Sequence, residues 1–228
     1  MPARDLLLVV LICTVWGFNF VAGAQAMTGF PPMLFMVLRF SLVLLLALPL
    51  VRRPPPGQWT RLAAAAIAMG GLHFTFMFWA LGLSDDVTSI SITQNMYIPI
   101  SVLLAVVFLR EPVGWRTIAA TATAFLGVLV IGFDPVVLGQ LDALGLILLS
   151  AFFQALASVL MRGLYGIHPI SFQGWTAIFS LPILALASVI FETGQWAAIQ
   201  AAEPIHWAAL AYTVIMASLL GHGLFFYL

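Results

Sequence analysis

The stretch from Ser89 to Ile131 holds two apolar runs separated only by Leu109-Arg110-Glu111-Pro112-Val113, with Arg116 close behind. Each run is about 20 residues long, and at a rise of about 1.5 Å per residue such a helix spans the roughly 30 Å hydrocarbon core of a bilayer. A helix satisfies its own backbone hydrogen bonds, which lipid cannot do for it. The stretch therefore predicts a hairpin of two membrane-crossing helices with a very tight turn.

The first run also carries polar groups that a lipid-facing helix avoids: Gln94, Asn95 and Tyr97, followed by Pro99. Proline has no N–H, so it frees a carbonyl one turn earlier and weakens the helix there. Polar side chains clustered beside a weakened helix suggest one wall of a ligand pocket. The alternative is that each of them only bonds to a neighbouring helix.

The rest of the chain has the same character. Charged residues make up 7% of the 228, against 63% hydrophobic, and the mean hydropathy is +1.13. A water-soluble domain carries about 25% charged residues, so the expected class is an all-α, polytopic membrane protein. Eight cations, all Arg, balance eight acids, giving a formal net charge of zero and no electrostatic support for a nucleic-acid partner. A single cysteine, Cys13, excludes an internal disulfide and a thiolate cluster. No HExxH, GxSxG, P-loop or Rossmann glycine pattern occurs, so neither an enzyme activity nor a cofactor is expected. Arg4, the apolar run and Ala22-Gly23-Ala24 resemble a cleaved leader. The run is long for one, however, and includes Trp16, Gly17 and Asn19, which favours a retained span.

Apolar runs bounded by charges, Pro or Gly give eight spans, near 5–26, 31–51, 61–82, 87–109, 113–133, 142–162, 169–191 and 206–228. Arg4, Arg52, Arg53, Arg61, Arg110, Arg116 and Arg162 then share one side with Asp5 and Glu111. The other side holds Asp85, Asp86, Asp134, Asp142, Glu192 and Glu203. Cytoplasmic loops are the basic ones, so the N-terminus is expected in the cytoplasm.

Two weak internal matches point the same way. Thr28-Gly29-Phe30-Pro31-Pro32 resembles Tyr165-Gly166-Ile167-His168-Pro169 at an offset of 137, and the segment from His73 to Phe78 resembles His222 to Tyr227 at an offset of 149. Both pair spans one to three with spans six to eight, which makes the repeat five spans long. An odd repeat inverts its second copy, a plan common in secondary transporters with a substrate site at the repeat interface. The halves are residues 1–133 and 142–228. Leu228 aligns with Trp79, so the native protein is expected to continue with two more helices, making ten.

Trp16-Gly17-Phe18-Asn19-Phe20, Pro31-Pro32 with Leu38-Arg39-Phe40, and Leu109-Arg110-Glu111-Pro112 followed by Gly127-Val128-Leu129-Val130-Ile131 stand in this order along the chain. Together they resemble the EamA-type transporters of the drug/metabolite transporter superfamily. The resemblance implies ten helices in two inverted five-helix repeats and a location in the bacterial inner membrane. It further implies export of amino acids, their derivatives or other small metabolites. The partners it implies are a small-molecule substrate and the lipid bilayer, and it leaves a homodimer open. Two rivals remain: a membrane-embedded enzyme acting on lipid or isoprenoid substrates, for which Asp85 and Asp86 form the only acidic pair, and a channel-like bundle without saturable binding.

The candidate substrate-binding residues are Trp16, Asn19, Arg39, His73, Gln94, Asn95, Tyr97, Pro99, Gln154, Ser158 and His222. Trp16 and Asn19, three apart on one helix face, offer a flat apolar wall with an amide beside it. Arg39 lies about 12 Å into its span, where a cation costs a few kcal/mol unless paired or wetted. It either contacts substrate or bonds helix-end carbonyls. His73 and His222 are repeat mates, suited to proton relay or substrate contact, or to packing alone. Gln154 and Ser158, four apart, form a polar stripe on span six. The interior of the spans offers no Asp or Glu for a coupled proton, so facilitated diffusion or His-linked exchange is expected. The pocket is expected to draw on spans one, two, three, four, six and eight.

Overall fold

The computed structural model describes residues 3–84, 86–110, 112–132 and 140–225. The expectations placed on Asp85, Glu111, Asp134, Phe226, Tyr227 and Leu228 lie outside the described residues. The described residues are mostly helical, with no strand among them, and seven of their helices are long and apolar enough to cross a membrane. They are α1 (Ala3–Met27), α2 (Pro32–Ala47), α3 (Trp59–Leu83), α4 (Val87–Leu109), α6 (Leu141–Met161), α7 (Pro169–Phe191) and α9 (Pro204–Leu224). Between α4 and α6 runs α5 (Trp115–Gly132), whose apolar part, Trp115–Val130, is shorter. These occupy the eight expected spans in order. The short helix α8 (Gln195–Ala201) was not foreseen in the acidic loop before α9.

The starts of the helices follow local chemistry. Pro32, Pro169 and Pro204 each stand in the first turn of a helix, where a missing N–H costs nothing. Asp86 caps α4, accepting from the Thr88 and Ser89 N–H groups at 2.9 and 3.2 Å. Inside α4, Pro99 acts as expected: regular α-helix stops at Gln94 and resumes at Tyr97. The carbonyl that Pro99 cannot serve, that of Asn95, accepts instead from the Ile98 N–H at 3.0 Å. The break is thus closed by a tighter turn that occupies the Asn95 carbonyl.

Three helices contain π-helical segments: Ile67–His73 in α3, Ala105–Leu109 in α4 and Thr213–Gly221 in α9. In α3 and α9 the segment ends at, or one residue before, the histidine of each matched pair.

The core forms where α2 and α7 pack antiparallel and α3 crosses them. Phe35 and Phe78, both fully buried, meet edge to face at 4.9 Å, and Phe40 meets Phe74 at 5.7 Å. The small residues of α3 do the packing expected of them, since a Cβ on Gly70 would collide with Thr176 and Ser180 of α7. The second small-residue stripe, Ala119, Ala120, Ala122 and Ala124 with Gly127, does not: none of these residues is buried, and nothing approaches Gly127. The α5 helix lies against the outside of the bundle, so its stripe meets no partner among the described residues.

The ends of α2 and α7 are tied to each other. At one end Glu192 accepts from the backbone N–H groups of Met33 and Leu34 at 2.5 and 2.9 Å, a carboxylate at the positive end of α2. At the other, Ser171 accepts from the Arg52 N–H at 2.9 Å, and the Trp175 indole donates to the Arg52 carbonyl at 2.9 Å. On that same face Arg61, in the first turn of α3, donates to the Gly163 carbonyl at 2.9 Å, so Arg52, Arg61 and Arg162 come together on one side of the bundle.

Candidate functional site

A cavity of about 750 Å³ opens among α1, α3, α4, α6 and α9. Eight of the candidate residues line it: Trp16, Asn19, His73, Gln94, Asn95, Tyr97, Gln154 and His222. Val9, Ile12, Phe20, Phe74, Met77 and Ile98 supply apolar wall, and Cys13 adds an accessible thiol. Three candidates lie off the lining. Pro99 is buried beyond the helix break, and Ser158 donates to the Gln154 carbonyl at 2.9 Å. Arg39 is fully buried behind the wall, so α2, expected to line the pocket, contributes no side chain to it.

The polar wall is a single hydrogen-bonded unit. Gln94 donates through Nε2 to Gln154 Oε1 at 2.6 Å, and its Oε1 accepts from Ser150 Oγ at 3.0 Å. Ser150 Oγ also lies 2.9 Å from the His73 carbonyl and 2.8 Å from His73 Nδ1. The hydroxyl has one proton to give, and its two carbonyl partners can only accept. That proton can go to only one of the two carbonyls at a time, and the His73 ring meets the hydroxyl as a donor when it carries its own proton on Nδ1. Nε2 is then the ring's acceptor. His222 has the same tautomer, since its Nδ1 lies 2.8 Å from the Ala217 carbonyl. Ser150 was not singled out in the sequence, although it sits four residues before Gln154 on the same helix face.

The opposite wall belongs to α1. The Trp16 indole meets the His222 imidazole with ring centroids 5.0 Å apart, and Asn19, 6% exposed, faces the cavity from the next turn. Asn19 Oδ1 is buried with no hydrogen-bond partner. Asn95 spends its amide on the Ser91 carbonyl at 2.9 Å, which fixes it against the break in α4.

Arg39 donates from Nε and Nη2 to Ser218 Oγ at 3.1 and 3.0 Å, and its guanidinium lies 4.7 Å from the centroid of the Phe74 ring. The helix-end carbonyls considered as its partners are not used; a serine side chain of α9 is.

An all-helical bundle of membrane-length helices around an open, largely apolar cavity with a few polar groups defines a multi-pass membrane protein with room for a small molecule. Residues 4–133 match the EamA-like transporter family, and the chain belongs to that family. It is similar to a probable amino-acid metabolite efflux pump of Escherichia coli K12, 25% identical over 233 residues that cover 98% of this chain and 77% of the relative. A protein of the same description from Salmonella typhimurium LT2 is 28% identical over 236 residues, with the same coverage of 98% and 77%. The chain is a membrane transporter with a small-molecule substrate.

Proposed function

We propose that this transporter exports amino-acid-like metabolites across a bacterial inner membrane by alternating access around the cavity, with its N-terminus in the cytoplasm. The cavity carries the proposal. Its walls pair aromatic and aliphatic surface with amides and imidazoles and present no carboxylate among the described residues, a setting for a molecule with an apolar body and a few hydrogen-bonding groups. The relatives described as amino-acid metabolite efflux pumps support the same substrate class. The basic loops gathered on one side support the orientation, and no catalytic chemistry is assigned to the site.

The inverted-repeat plan is part of the proposal. It is supported by the two π segments that end at His73 and just before His222 and by the prolines that open both α2 and α7. Coupling, where present, is His-linked, since the span interiors offer no carboxylate among the described residues.

The test is saturable counterflow in proteoliposomes across amino acids, nucleosides and amphipathic cations, repeated with Trp16→Ala and Asn95→Ala. Counterflow of an amino acid that weakens in the variants supports the proposal. If no substrate's rate or affinity changes in either variant, the cavity is not the site. Strict dependence on a proton gradient that persists in the His73→Ala, His222→Ala double variant would overturn His-linked coupling.

A further inference from the structure

Arg39 has unused bonding capacity. Of its five N–H groups two go to Ser218, while Nη1 is buried without a partner. Among the described residues no carboxylate stands in the interior of a span to neutralise it: Asp5 and Asp142 sit in the first turns of their helices, and Glu192 is committed to the start of α2. A buried guanidinium with one terminal nitrogen unpartnered and no carboxylate beside it among the described residues is suited to receive an anion.

The rings of Phe74 and Phe78 both lie against Arg39, and that of Phe74 also faces the cavity. Phe74 lies over the guanidinium and also lines the cavity, with His73 at 4.5 Å and His222 at 5.9 Å between ring centroids. Phe74 directly follows the π segment Ile67–His73, and Ser218 lies inside the π segment Thr213–Gly221, where its hydroxyl reaches the Thr213 carbonyl at 3.1 Å. A π turn holds one residue more than an α turn. Loss of that extra residue would rotate the helix beyond it by about 100°, the angle between successive helical residues, and so would change where Phe74 stands relative to Arg39.

We propose that Arg39 is a carboxylate subsite of the transporter, closed here by Phe74 and opened to the cavity when the π turn of α3 contracts. The proposal rests on the transport function above. The planar fork of a guanidinium matches the two oxygens of a carboxylate, and Nη1 is the donor left for it.

The experiment compares phenylalanine with phenylalaninamide, which differ at the carboxylate, in counterflow by the wild type, Arg39→Gln and Arg39→Lys. The wild type is expected to prefer phenylalanine by about tenfold or more, as a charge-assisted hydrogen bond implies. Arg39→Gln removes the preference while phenylalaninamide counterflow is retained, and Arg39→Lys keeps part of it. Equal loss for both probes in a monodisperse variant overturns the subsite. Should Arg39→Gln fail to fold, phenylglyoxal labelling of Arg39, read by mass spectrometry, decides. Labelling should rise several-fold in Phe74→Ala, and phenylalanine should suppress it where phenylalaninamide does not. Labelling indifferent to phenylalanine overturns the subsite. Protection without any counterflow removes the transport function and leaves the subsite standing.

Discussion

Gln94 of α4 and Gln154 of α6 are joined amide to amide at 2.6 Å, with Ser150 and His73 completing the chain. Replacing Gln94 by Leu leaves Gln154 and Ser150 without their partner inside the bundle. That is expected to cost about 1–3 kcal/mol, read as a lower melting temperature in detergent. The Gln94→Leu, Gln154→Leu double variant should lose less than the sum of the singles, since both ends of the bond then go together.

Ser150→Ala removes the hydroxyl shared by Gln94 and His73. A loss of stability of about 1–3 kcal/mol is expected. Ser158→Ala, which only deletes a bond from Ser158 to the backbone of its own helix, should stay within about 0.5 kcal/mol of wild type in the same melting experiment.

Gly70→Leu places a large side chain where Thr176 and Ser180 of α7 already stand. The expected result is a variant destabilised by about 1–3 kcal/mol or more. Gly127→Leu on the outer helix α5, where nothing approaches, is expected to leave the melting temperature of the purified protein nearly unchanged.

The hydroxyl of Ser89 holds the Asp86 carboxyl below its ordinary value of 3.8, assisted by the Ser89 and Thr88 N–H groups and opposed by partial burial. A carboxylate whose folded pKa is depressed stabilises the fold fully above the unfolded value, and the gain fades as pH falls below it. Amide exchange at Thr88 and Ser89 should therefore accelerate, beyond its intrinsic pH trend, below about pH 3.8. Asp86→Asn keeps a capping oxygen but has no carboxyl to titrate, and should abolish that step.

The spans were legible because hydropathy and length decide them, and the clustering of Gln94, Asn95 and Tyr97 did mark a cavity wall. Trp16 and Asn19 share a face as their spacing requires. What stayed hidden depended on contacts distant in sequence. Arg39 finds Ser218 across 179 residues, and nothing local distinguishes that serine from one bonded to its own backbone. For Arg39 the sequence left substrate contact and bonding to helix-end carbonyls both open, and the geometry places it behind Phe74 with Ser218 as its partner. Ser150 could have been found, since it lies one turn before Gln154 on the same face. The π segments carry no residue pattern that separates them from ordinary helix, and Pro99 announced a break without showing that the turn would close on itself.

Because Glu192 grips the first turn of α2 while Arg52 is held at the first turn of α7, the two helices are pinned at both ends. Sliding one along the other by a single helical turn would break both pins at once. The pair therefore acts as a keel, and in the alternating access proposed above the movement falls to the helices around it. A disulfide between α2 and α7 should leave transport intact, where one between α1 and α4 across the cavity should arrest it.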